Sequence, residues 1–84
     1  VRLIRGQADE TVWAAVLTAR DGDRFLPVLL YDNAHGRPER HRYRHGLKLA
    51  PEDLSPRGSA RHDLPAAIGE IKANWEGMVE RWER

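Results

Sequence analysis

Residues 31–46 read YDNAHGRPERHRYRHG and hold three of the four histidines of an 84-residue chain, interleaved with four arginines. Histidine both donates and accepts protons near neutral pH, which suits it to general acid–base work. Arginine carries a permanent charge on a planar fork that grips phosphate through two parallel hydrogen bonds. Together they offer a route to RNA cleavage without a metal. One imidazole removes the 2′-hydroxyl proton, a second group protonates the leaving oxygen, and a guanidinium stabilises the charge that develops on phosphorus. The candidates for that chemistry are His41, His45 and Arg42, with His35 in support. Arg40, Arg44 and Lys48 are the candidate phosphate contacts, and Tyr43 is placed to orient or stack on a base. No cofactor and no metal is expected.

Spacing sorts these residues if the segment is a strand, because successive side chains point to opposite faces. His41, Tyr43, His45, Leu47 and Leu49 then share one face, and Arg40, Arg42, Arg44 and Lys48 share the other. The leucines predict that the histidine face continues the core and that the arginine face is wet. Arginines two residues apart stand roughly 6.6–6.8 Å from one another, an interval that suits successive phosphates. A row of charge that only guards a sheet edge is the competing interpretation. A metal site is the other chemical alternative, with Asp32, His35, His41 and His45 as ligand types. It is disfavoured because residues four apart on a strand lie roughly 13 Å apart. Asp32, Asn33 and Gly36 read as a turn motif, with the two short polar side chains bonding their own backbone.

The elements that must position this segment are legible on either side. VRLIR (residues 1–5), residues 11–20 and residues 24–31 read as strands, followed by a fourth over 40–49. Asp-Gly between apolar runs is a strong hairpin signal. With Asp21 and Gly22 as the turn, Leu17 faces Leu26, Ala15 faces Val28 and Trp13 faces Leu30. Pro27 has no amide donor and is expected at an edge, a bulge or a non-bonded position. Both faces of this hairpin are apolar: Trp13, Leu17, Leu26 and Leu30 line one, and Val12, Val16, Phe25, Leu29 and Tyr31 the other. One helix covers only one of them, so a homodimer or a hetero-complex is expected. PEDL (51–54) reads as one helical turn in a long connection.

Residues 64–83 then read as a helix, with Asp63 as N-cap and Pro65 in the first turn. Leu64, Ile68, Ile71, Trp75, Met78, Val79 and Trp82 form one apolar stripe, and the tryptophans are assigned to the core. The whole, residues 1–84, is predicted to be one α+β domain, an antiparallel meander of about four strands packed on a C-terminal helix.

Composition excludes several classes. The chain has no cysteine, so no disulfide or thiolate-bound zinc holds it together. No apolar run approaches the roughly 20 residues of a membrane span and no signal-peptide pattern is present, so a cytoplasmic location is expected, with no membrane partner. The net charge of +1 hides a local excess: residues 31–48 carry five basic groups against Asp32 and Glu39. A basic central segment fits a polyanion-binding surface.

The run Tyr31-Asp32-Asn33, then Gly36, then His41-Arg42 resembles the motif of TumE-type toxins of bacterial toxin–antitoxin modules. That family places a Tyr-Asp-Asn at a strand end, a glycine turn and a His-Arg-His before a closing helix. Here Tyr43 stands in the second histidine's place, and the interval from Gly36 to His41 is one residue longer. The resemblance implies a small toxin acting on RNA and neutralised by a cognate antitoxin protein. The motif covers about a sixth of the chain.

Overall fold

The computed structural model describes residues 2–8, 12–34, 36–44, 46–54 and 60–83. His35 and His45 lie outside these. Strand β1 (Arg2–Ala8) pairs along its whole length with β2 (Trp13–Asp21), which pairs with β3 (Arg24–Asp32), which pairs with β4 (Glu39–Arg44), all antiparallel. Two short strands, β5 (Leu47–Lys48) and β6 (Glu52–Asp53), share the far edge of β4. Helix α1 (Ala60–Glu83) packs on one face of the sheet. This is the expected α+β meander on a single C-terminal helix, with five to six strands instead of four. Among the described residues no helix is long and apolar enough to cross a membrane.

Alternation in β2 buries Trp13, Ala15, Leu17 and Ala19 against the helix and leaves the intervening side chains half-buried. Helix positions Ala67, Ile71 and Met78 close the core, with Leu64, Ile68, Trp75, Val79 and Trp82 packed around them, as the apolar stripe predicts.

The β2–β3 hairpin forms, but its turn is Gly22-Asp23, one residue later than predicted, with Gly22 at φ 67° and Asp21 opposite Arg24. A bulge between Leu17 and Thr18 then shifts the register again, next to Pro27, where a missing donor makes regular pairing costly. Leu17 therefore faces Leu29 and Ala15 faces Tyr31, in place of Leu26 and Val28. The extra residue flips the parity of the rest of β3. Leu29 and Tyr31 join Trp13 and Leu17 under the helix, and Leu30 turns to the opposite side with Val16. On that side Val12 and Phe25 are exposed.

The predicted strand over 40–49 is broken at Gly46, which adopts φ 78° and turns the chain back as β5. Leu47 and Leu49 consequently end up exposed, at 68% and 41%. PEDL is not a helical turn; Glu52 and Asp53 form β6 beside Arg40 and Glu39. Asp63 does not cap the helix, which begins at Ala60; it lies in the first turn and is buried. Pro65 is inside the helix, where its ring forgoes the bond a backbone amide would make to the residue 61 carbonyl.

One glycine has a packing reason. A Cβ at Gly6 would lie 2.6 Å from Ile68 Cδ1 and 3.1 Å from Leu64 Cδ1. Gly6 thus lets β1 lie close under α1, whereas nothing crowds Gly69. Gly6→Val should lower stability by about 1–3 kcal/mol through overpacking, measured by urea unfolding. Gly69→Ala should be neutral or stabilising.

Candidate nucleic-acid interface

Register decides which way β4 looks. Arg40 is opposite Tyr31 and Arg42 opposite Leu29, so the arginines share the helix side of the sheet. His41 is opposite Leu30, and Glu39 is opposite Asp32, on the side away from the helix. The alternation predicted from spacing is present, with its direction reversed. Leu47 and Leu49, the sequence's markers of the inner face, both lie beyond the turn at Gly46 and do not extend β4. The arginine side is nonetheless not closed over, because α1 covers only part of β4.

Arg40 is committed to structure. Its guanidinium meets Glu52 at 2.8 Å and Glu70 of α1 at 3.6 Å, with its side chain 20% exposed. Glu52 holds that guanidinium still further above its already high pKa. The buried Tyr31 hydroxyl lies against the same pair; its pKa is raised by burial, with Glu70 adding to the rise and Arg40 opposing it. Arg42 Nε also meets Glu52, at 3.0 Å, but its side chain remains nearly half exposed. Arg37 and Asp53 form a further pair at 3.1 Å on the rim.

Arg40, then Arg42, hold the Glu52 carboxyl below its ordinary pKa of 4.5. A depressed carboxyl stabilises the fold above the unfolded pKa, and that contribution disappears as pH falls through the lower, folded value. Wild-type stability should therefore drop below about pH 4.5 by more than that of Glu52→Gln. The difference should stay under about 1 kcal/mol, because Glu52 is 43% exposed. Urea midpoints at neutral and acid pH measure it.

Beyond Arg42 a cavity of about 280 Å³ opens between the end of α1 and the β4–β5 hairpin. Val28, Leu29, Leu49 and Met78 give it an apolar floor, and Arg42, Arg44, Arg81 and Trp82 complete the lining with Tyr43, whose side chain alternates to the His41 face of β4. Among the described residues no lining side chain is acidic, although Glu52 touches Arg42 from the edge. Of the predicted phosphate and base contacts, the structure includes Arg44 and Tyr43 in the lining, joined by Arg42, which the sequence assigns to catalysis. It diverts Arg40 into an ion-pair cluster, and sets the exposed Lys48 on β5 opposite Tyr43, outside the lining. Arg81 and Trp82 were not assigned to the site from sequence; Trp82 was read as core, and only the fold brings the end of α1 beside β4.

The turn motif has a structural role. Asp32 Oδ1 accepts the Ala34 amide at 3.3 Å, as an Asx-turn requires. Asn33 Oδ1 accepts the Trp13 amide at 2.8 Å, so the side chain extends the β2–β3 ladder by one rung. Gly36 has φ 91° and donates its amide to the Asn33 carbonyl at 3.1 Å. His41, the one predicted catalytic histidine within the described residues, is 5% exposed and faces away from the cavity.

Compared with protein-family models, with curated proteins and with solved structures, the chain finds no match in any of the three.

Proposed function

We propose that this chain is an RNA-binding module whose contact surface is the cavity between β4 and the end of α1. The observation that carries the reading is the meeting of three arginines and Trp82, from β4 and the end of α1, around an apolar floor. Guanidinium forks hold phosphate oxygens, and the accessible face of a half-buried ring can stack on an unpaired base. A single strand offers both groups at once, while a duplex keeps its bases stacked inside. The resemblance of Tyr31–Arg42 to TumE-type toxins supports RNA as the polyanion and an antitoxin protein as the partner that restrains it. Fluorescence anisotropy with a labelled single-stranded RNA tests the reading: binding should weaken steeply with added salt.

Binding without cleavage is favoured over a ribonuclease. The metal-independent scheme asks for an imidazole and an arginine on the same phosphate, whereas His41, the one candidate histidine among the described residues, is buried on the other side of β4 from Arg42 and Arg44. Incubation of purified protein with the same RNA separates the two: intact RNA supports the module, and a cleavage product lost in His41→Ala supports the enzyme.

A further inference from the structure

The side of β4 turned away from the arginines carries a second constellation. Asp32 and Glu39 face each other across the β3–β4 ladder, and His41 follows Glu39 by one pleat. One ligand atom from each, two carboxylate oxygens and a ring nitrogen, all lie within 4.8 Å of one another. His41 Nε2 is 3.9 Å from Glu39 Oε1. All three residues are secluded, with 9%, 7% and 5% exposure for Asp32, Glu39 and His41. Two carboxylates set this close favour a cation between them.

The imidazole is oriented to serve that centre. His41 Nδ1 lies 3.4 Å from the Leu49 carbonyl, which can only accept, so in the neutral ring Nδ1 carries the proton and Nε2 the lone pair. Nε2 is buried and has no hydrogen-bond partner among the described residues. At 3.9 Å its approach to Glu39 is too long to be one. A buried lone pair converging on two carboxylates needs an electrophile. A carbonyl holding the far ring nitrogen is also the usual outer-shell support of a metal-bound histidine.

We propose that Asp32, Glu39 and His41 form a binding site for one divalent first-row transition-metal ion. One imidazole and two carboxylates suit Zn²⁺, Mn²⁺ or Fe²⁺ better than a soft, thiolate-seeking ion. Ligand bonds of about 2.0–2.2 Å place ligand atoms roughly 3–3.6 Å apart. The cluster must therefore contract by about 1 Å, within reach of small rotations of the two acidic side chains. Three protein ligands leave a coordination position for water or an exogenous group. The site stands apart from the arginine cavity and does not depend on the chain binding RNA.

Zn²⁺ is the probe. Titrated into the purified chain in a calorimeter, it should bind one ion per chain. In ¹⁵N spectra of the histidine rings, the Nε2 resonance of His41 should shift while Nδ1 keeps its proton. Asp32→Asn and Glu39→Gln should each weaken binding by more than the roughly 10–100-fold that losing an outer-shell partner costs. His62→Ala, exposed on α1, should leave it unchanged. Three results would overturn the proposal: no binding at millimolar Zn²⁺, equal binding by Asp32→Asn, or a doubly protonated His41 ring that Zn²⁺ leaves unaltered. The last would identify a buried imidazolium between carboxylates. Should a variant fail to fold, the wild-type ring spectrum still decides.

Discussion

Leu29→Ala should lower the stability of this domain by about 2–5 kcal/mol, while Leu30→Ala, one position further along, should cost distinctly less. Leu29 is 3% exposed beneath α1, opposite Leu17, whereas Leu30 is half-buried on the other side, between Val16 and His41. The contrast exists only because the bulge beside Pro27 flips the parity of β3. A domain of this size loses about 4–8 °C of melting temperature per kcal/mol. Thermal melts should therefore show Leu29→Ala falling by roughly 10 °C or more. With total stabilities on the order of 5–15 kcal/mol, that change removes a large share of what holds the fold. Equal or inverted effects would mean that β3 follows the unbulged register, with Leu30 inside.

Removing Arg42, Arg44 and Arg81 together, each to alanine, should weaken binding of a single-stranded RNA by at least about 100-fold at low salt. Each hydrogen bond to a charged group contributes about 1.5–3 kcal/mol. The same variant should flatten the dependence of log affinity on log salt by about 2, since each neutralised phosphate contributes roughly 0.7 for single strands. Trp82→Leu should lower affinity by about 1–3 kcal/mol with the slope unchanged, because stacking releases no counterions. Arg40→Ala provides the contrast. Its guanidinium is held by Glu52 and Glu70, so the loss should appear in stability and leave RNA affinity nearly intact. A charged surface acting only to keep strands from aggregating would show no binding for any of these variants to reduce.

The fold class was legible because two periodicities dominate the chain. Alternation marks β2, and recurrence at three and four residues marks the stripe from Leu64 to Trp82. Both depend on local spacing alone. What eluded sequence reading depends on relations between elements. Asp21-Gly22 and Gly22-Asp23 are equally plausible turns by composition, and the choice moves every cross-strand pair. A bulge beside Pro27 answers to the neighbouring strand, which no local pattern records. The same cause explains the site. Two residues per pleat correctly separated Arg40, Arg42 and Arg44 from His41 and Tyr43, but which set faced the helix rested on Leu47 and Leu49, beyond the positive φ at Gly46. Arg81 and Trp82 joined the cavity from almost forty residues away. Glu39 was read only as a charge, because its meeting with Asp32 follows from the register of β3 against β4.

Mapping where RNA lands tests the central claim most directly: that the phosphate-binding surface of β4 is its helix side, completed by the end of α1. In ¹⁵N-labelled protein titrated with a short single-stranded RNA, the side-chain resonances of Arg42, Arg44 and Arg81 and the Trp82 indole should move together, with one affinity. Shifts confined to Val12, Phe25 and the His41 side of the sheet, with Arg81 and Trp82 unmoved, would contradict it.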